Sequence, residues 1–317
     1  MIRATLLATA LALPAHAGVE EALASHVLPR IDALAEGTAT LAAAPCEPEA
    51  LRAGFHAAAD AWAGASHLTL GPAEEGARTQ AIQFWPDARD ATGRGLRLLR
   101  AQGEEAWTPE TIARASVAAR GLGALERLIH EDGGEPCALT LALADDLAAT
   151  ARAIRDGWRG EGGFAEAMRS AGAPGNGRFL APEEARAALF TALLSGLEHV
   201  EARRLGEPLG TFDRPEPRRA EMRRAGRSLE NVRLALASLR ELAAALAHAP
   251  GTDAAFATAL AAAEALDDPV FAGVADPQGR VRVEALQTAV RAVRAAAAAE
   301  IGGALGVTAG FNASDGD

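Results

Sequence analysis

Apolar residues three and four apart, set in long stretches of Ala, Leu, Arg and Glu, recur along nearly all of this 317-residue chain, while alternating runs of β-branched residues are almost absent. A period of 3.6 residues gives a helix one apolar stripe to bury, so a chain patterned this way folds as helix packed on helix. The pattern predicts an all-α protein with helices near 19–43, 47–66, 89–101, 109–130, 138–158, 182–205, 218–247, 253–266 and 278–303. Thr108-Pro109 with Glu110, and Ala181-Pro182 with two following glutamates, have the composition of helix starts. A glycine-rich stretch, 160–177, divides the chain near its middle. Size scaling then favours two helical bundles, 18–160 and 178–317, joined by a linker at 161–177. A weak echo of Gly121-Leu122 and Glu126 in Gly196-Leu197 and Glu201 is in keeping with two related halves.

The first 17 residues set the expected compartment. Met1 to Arg3 is a short positive region, Ala4 to Pro14 is apolar, and Ala15-His16-Ala17 has the small-x-small form of a cleavage site, so 1–17 reads as a signal peptide and the mature chain begins at Gly18. The apolar run is too short to span a bilayer, and no later segment reaches about 18 uninterrupted apolar residues. A soluble periplasmic protein is expected. Cys46 and Cys137, the only cysteines, each follow a proline in a turn-like setting. In an oxidising compartment an even pair reads as a disulfide, with two separate buried thiols as the alternative. The formal charge of −11 becomes −12 when Arg3 leaves with the leader, which argues against nucleic acid or an anionic membrane surface as partner. Lysine and tyrosine are both absent, which removes their chemistry.

Three segments break the helical pattern. In 120–132, RGLGALERLIHED, glycines stand at 121 and 123 of an expected helix, where each costs roughly 1 kcal/mol relative to alanine and asks for a reason such as close packing or room for a ligand. Gly123, Glu126 and His130 share one face there, and a carboxylate and an imidazole one turn apart can bind a metal, share a proton or pair with each other. In 82–87, IQFWPD, Trp85 precedes a proline and is expected to be extended, so the aromatic pair and Asp87 line a pocket or plug a bundle end. The ending 306–317, GVTAGFNASDGD, suits turns. Elsewhere His56 and His67 flank the Phe55, Ala59, Trp62 face of a helix, and Ser195 and His199 lie one turn apart in another. Lone helical histidines of this kind are more often packing residues than ligands.

These same segments resemble the imelysin family. RGLGALERLIHED is similar to its GLPALEYLLF-like helix, IQFWPD to its extended WPD segment, and GFNASDGD to its GFN-x-x-DGD ending. Leu205 to Leu236 also resembles the family, where a PLG turn precedes a Ser-Leu helix start. The resemblance implies two helical bundles packed around a shared cleft, in a periplasmic or outer-membrane-associated protein often linked to iron acquisition. It further implies a GxHxxE motif, behind the family's proposed metallopeptidase activity. Here Gly121 and Glu126 match that motif while Gly123 stands where the histidine would be.

Catalytic zinc needs about three protein ligands, an open position and a base for its water, and no HExxH or GxSxG pattern occurs. The expected function is therefore non-proteolytic binding of a metal ion, a metal complex such as one of iron or zinc, or an envelope partner protein, with no catalytic residue assigned. Arg78, Trp85, Asp87, Gly121, Gly123, Glu126, Phe311, Asn312 and Asp315 are the expected cleft residues, and Glu126 with His130 the metal candidates. The alternatives are a metallopeptidase using Glu126 and His130, and an interaction scaffold with a filled cleft.

Overall fold

A computed structural model describes residues 17–131 and 137–306. Residues 1–16 of the expected leader and the ending with Phe311, Asn312 and Asp315 lie outside the described residues. The described residues contain no strand, only an isolated bridge between Thr211 and Arg214, and no helix long and apolar enough to cross a membrane.

The first half is built from α1 (Ala17–Ala22), α2 (Leu28–Ala42), α3 (Pro48–Ala65), α4 (Arg78–Ile82), α5 (Ala91–Gln102), α6 (Pro109–Arg114), α7 (Gly121–His130) and α8 (Cys137–Arg159). A π-helical turn, Leu23–Val27, joins α1 to α2 without a break. After α9 (Phe164–Arg169), the second half holds α10 (Pro182–Glu198), α11 (Gly206–Leu209), α12 (Ser228–Leu246), α13 (Pro250–Glu264) and α14 (Pro277–Leu305). Helices α2, α3, α7 and α8 pack together, as do α10, α12, α13 and α14, and α12 also packs along α3. The faces that do this are those written in the sequence. Leu51, Phe55, Ala59 and Trp62 of α3 are buried, and so are Leu229, Val232, Leu236, Leu239 and Leu246 of α12. One apolar core runs from Val19 to Ile301.

The stretch expected as a linker is not wholly irregular. Phe164 and Met168 of α9 are buried, Phe164 edge-on to Trp158 with ring centroids 4.7 Å apart. Cys46 and Cys137 form a disulfide with Cα atoms 5.9 Å apart, tying the turn before α3 to the first residue of α8. Closing a loop of 91 residues stabilises the fold by about 4 to 5 kcal/mol in the chain-entropy account.

One polar contact interrupts the core. His26, in the π-turn, and His67, just after α3, face each other with Nε2 atoms 2.9 Å apart, and both are buried. Burial holds the His26 ring at a pKa of about 4, with Arg30 lowering it further and Glu241 opposing. Burial, His26, Arg30 and Arg204 hold His67 well below its ordinary value. The folded protein therefore binds fewer protons than the unfolded chain between the ordinary histidine value of 6.5 and about 4, and its stability falls as pH drops through that window. Thermal unfolding should show Tm decreasing through the upper part of this window, where carboxylates do not yet titrate. His67→Asn removes one titrating ring and should flatten that slope, whatever it does to Tm at neutral pH; an unchanged slope would assign the effect elsewhere.

Candidate functional site

The helix expected over 109–130 is broken, and the break builds the site. Ala115 is extended, Ser116 caps a 3₁₀ turn (Val117–Ala119), and Arg120 is again extended before α7 begins. Gly121 is therefore the first residue of α7, not an interior one, and its φ is +65°. A Cβ there would stand 2.2 Å from the Ala81 carbonyl oxygen and 2.3 Å from that of Ile82. Only glycine lets the start of α7 press against the end of α4. Gly123 differs. A Cβ on it would meet the Phe84 oxygen at 3.5 Å and Gln83 Oε1 at 3.8 Å, ordinary contact distances.

Gly123 opens onto a cavity of about 140 Å³ bounded by Gln83 to Asp87, by Thr92 of α5, by Gly123, Glu126 and Arg127 of α7, and by Arg218, Arg219, Ala220, Met222 and Arg224. Four expected residues thus meet here: Trp85, Asp87, Gly123 and Glu126. As the Trp-Pro pair implied, 83–87 is non-helical. Trp85 donates its indole N–H to the Arg219 carbonyl at 3.1 Å, and its ring lies edge-on to His199 at 6.0 Å.

Both acids are engaged with backbone. The Asp87 carboxylate accepts from the N–H groups of Ala91 and Thr92 at 2.7 and 2.9 Å, which fastens the start of α5. Burial pushes its pKa up, but the N–H groups of Thr92 and Ala91, the Thr92 hydroxyl and Arg127 together hold it below the ordinary value. Glu126 Oε1 accepts from the N–H groups of Arg224 and Ala225 at 2.8 and 3.2 Å. Burial raises the Glu126 pKa, opposed by those two N–H groups and the Arg224 and Arg223 charges.

Residues 218–224, RRAEMRR, were expected to begin a long helix and were not assigned to the site. In the structure the helix starts only at Ser228, and Met222 sits at φ +47° with its side chain buried. A non-glycine residue in that region is strained and is held there by its surroundings. Glu221, fully buried, accepts from Arg204 Nε at 2.8 Å and from Asn231 at 3.1 Å, while its carbonyl takes the Ser228 hydroxyl at 2.6 Å. The flanking Pro215, Pro217 and Gly226 were the sequence signal that this stretch is not helix.

The other expected residues stand apart from the cavity. Arg78 donates to the Pro72 carbonyl at 2.8 Å and pairs with Glu75 at 2.9 Å; Arg127, 3.7 Å from Asp87, takes the place beside the acids given to Arg78. His130 packs edge-on to Phe55 and His56, with ring centroids 5.0 and 5.5 Å away, and burial beside His56, Arg52 and Arg227 lowers its pKa to about 4. Glu126 and His130 thus have separate sets of neighbours. Among the described residues no group of three or more His, Cys, Asp or Glu is placed to hold a metal ion. At the cavity the donor chemistry does not fit a protein-held metal either: the oxygens of Asp87 and Oε1 of Glu126 already accept N–H bonds, and arginines fill the wall.

This architecture, an all-α chain with a small polar cavity between its α7 region and the segment before α12, matches a known class. The family model of imelysin, peptidase M75, matches residues 21–297, and the chain belongs to the imelysin family. Its fold is similar to that of an imelysin-like protein from Psychrobacter arcticum 273-4, with a TM-score of 0.77, 20% identity, and coverage of 96% of this chain and 100% of the other. It is also similar to a proposed iron-regulated protein A precursor from Parabacteroides distasonis ATCC 8503, with a TM-score of 0.69, 14% identity, and coverage of 89% and 95%. No curated protein matches the chain.

The two glycines of α7 should respond oppositely to alanine. Gly121→Ala is expected to lower stability by about 2 to 4 kcal/mol, because both the left-handed φ and the 2.2 Å approach resist a Cβ. Gly123→Ala is expected to be neutral or to add up to about 1 kcal/mol. Chemical denaturation of the two variants checks this, and equal losses would contradict the geometry.

Proposed function

We propose that this protein is a non-proteolytic binding member of the imelysin family, exported to the periplasm, which takes a metal complex into the cavity beside Gly123 as part of iron acquisition. The observation that carries this reading is the convergence of 83–87, α7 and 218–224 on one cavity. Those segments are far apart in sequence, and a scaffold would have no need to leave polar space among them. Binding of a complex, rather than of a bare ion, is supported by the donor set: a ligand that brings its own metal donors needs only orientation from the protein. The iron role draws on the resemblance and on the description of the Parabacteroides neighbour as iron-regulated. Peptide hydrolysis is disfavoured because Gly123 stands at the position of the motif histidine.

Growth of a deletion strain under iron limitation, complemented with wild type, Glu126→Ala or Asp87→Ala, tests the reading. Wild type should restore growth, and each variant should restore it poorly while remaining folded in the periplasm. Full rescue by both variants would move the site elsewhere. Cleavage of an unfolded protein substrate by the purified wild type, lost in Glu126→Ala, would replace binding with proteolysis.

A further inference from the structure

The charge on the cavity wall runs against the charge of the chain. The whole protein carries −11, whereas four arginines, Arg127, Arg218, Arg219 and Arg224, and two acids, Asp87 and Glu126, line the cavity. The carboxylates are moreover the less available charges, since each accepts two backbone N–H bonds.

The arginines differ in what they are paired with. Arg127 is bound to Asp90 at 2.5 Å, and Arg224 to Glu131. Arg219 is 3.6 Å from Glu207 and 3.7 Å from Glu216, ion-pair distances beyond a hydrogen bond. Arg218 is exposed, and among the described residues its guanidinium has no carboxylate partner. Its backbone is nonetheless fixed: the Arg218 carbonyl accepts from Arg223 Nε at 3.0 Å and the next carbonyl accepts from Trp85. Arg223 has its pKa lowered by burial and then by the positive charge of Arg224, with Arg218 adding to it. Cations are thus crowded on a wall whose backbone is tied down.

Resting on the binding reading above, we infer that the cavity recognises its ligand through a small oxyanion, a carboxylate or phosphate group, held by Arg218 and Arg219 with Arg224 and Arg127 behind them. A planar guanidinium offers paired N–H donors that match two oxygens of such a group, and in a partly enclosed site the charge-assisted bond is stronger than in water. A cavity of about 140 Å³ admits one small group of the ligand, the rest of a metal complex extending from its mouth.

Isothermal titration of the mature protein with citrate, with inorganic phosphate and with zinc chloride or iron(II) chloride tests this. Binding of citrate or phosphate that weakens as salt rises, and that drops about tenfold or more in Arg218→Gln but not in the remote surface variant Arg155→Gln, is the expected result. Binding of citrate alone assigns a carboxylate, and of phosphate alone a phosphate. Arg218 is exposed, so its variant should fold as wild type does. If the metal chlorides bind, neither anion does, and Arg218→Gln changes nothing, the oxyanion inference fails while the binding reading stands. Anion binding unaffected by Arg218→Gln also overturns it. Failure of the binding reading appears separately, as full rescue of iron-limited growth by Glu126→Ala and Asp87→Ala.

Discussion

The buried ion pair of Arg204 and Glu221 is the constraint on which the site depends. Both side chains are almost fully buried, and the pair joins the π-helical turn after α10 to a segment of turns and one short 3₁₀ helix, Pro217–Arg219. A charge removed from water costs several kcal/mol unless it is matched, so neither group can stay inside without the other. Burial pushes the Glu221 pKa up, yet Arg204, His199 and Asn231 hold it below the ordinary value, so the carboxylate stays charged. Around that fixed point the chain must turn at Met222 and can enter α12 only at Ser228, whose hydroxyl closes back on the Glu221 carbonyl. Arg218, Arg219 and Arg224 line the cavity on either side of the buried Glu221.

Helix stripes were legible in the sequence because burial of one face is a local, periodic property. The faces of α3 and α12 could be read directly, and so could the Thr108 cap, whose hydroxyl accepts from the Thr111 N–H at 3.3 Å. The break before α7 was not, because its cause is not local. Gly121 looks like a glycine within a helix, and only the Ala81 and Ile82 carbonyls, brought up from α4, show that the position must be left-handed. Residues 218–224 misled for the converse reason. Arg, Ala, Glu and Met are all good helix formers, and a buried partner 17 residues earlier outweighs a propensity worth a few tenths of a kcal/mol per residue. In the site, Trp85, Asp87 and Glu126 were found through motif resemblance, while the arginines lay in what read as an ordinary solvated helix.

The acids at the cavity also acquire a different meaning from the one their spacing suggested. A glutamate one turn from a histidine reads as two metal donors, but side-chain direction decides what each can reach. Glu126 turns to the N–H groups of Arg224 and Ala225, and His130 turns to Phe55 and His56. Asp87 similarly acts on the first N–H groups of α5. Each carboxylate stabilises a backbone turn and so shapes the cavity. Of the four arginines that line the cavity, Arg218 is then the one without a carboxylate partner among the described residues.

Both sides of the cavity are therefore specified by each other. Glu126 of α7 fixes the backbone at 224–225, just ahead of α12, and Trp85 fixes the carbonyl of Arg219. Remove either contact and the arginine wall loses one of its anchors to the opposite side of the cavity. A ligand held between these walls binds only the arrangement in which they meet, so its binding free energy adds to the stability of that arrangement by mass action. The exposed Arg218, on a carbonyl backbone tied by Arg223 and Trp85, is where such a ligand gains most: the backbone is already ordered, and only the side chain's freedom remains to be lost.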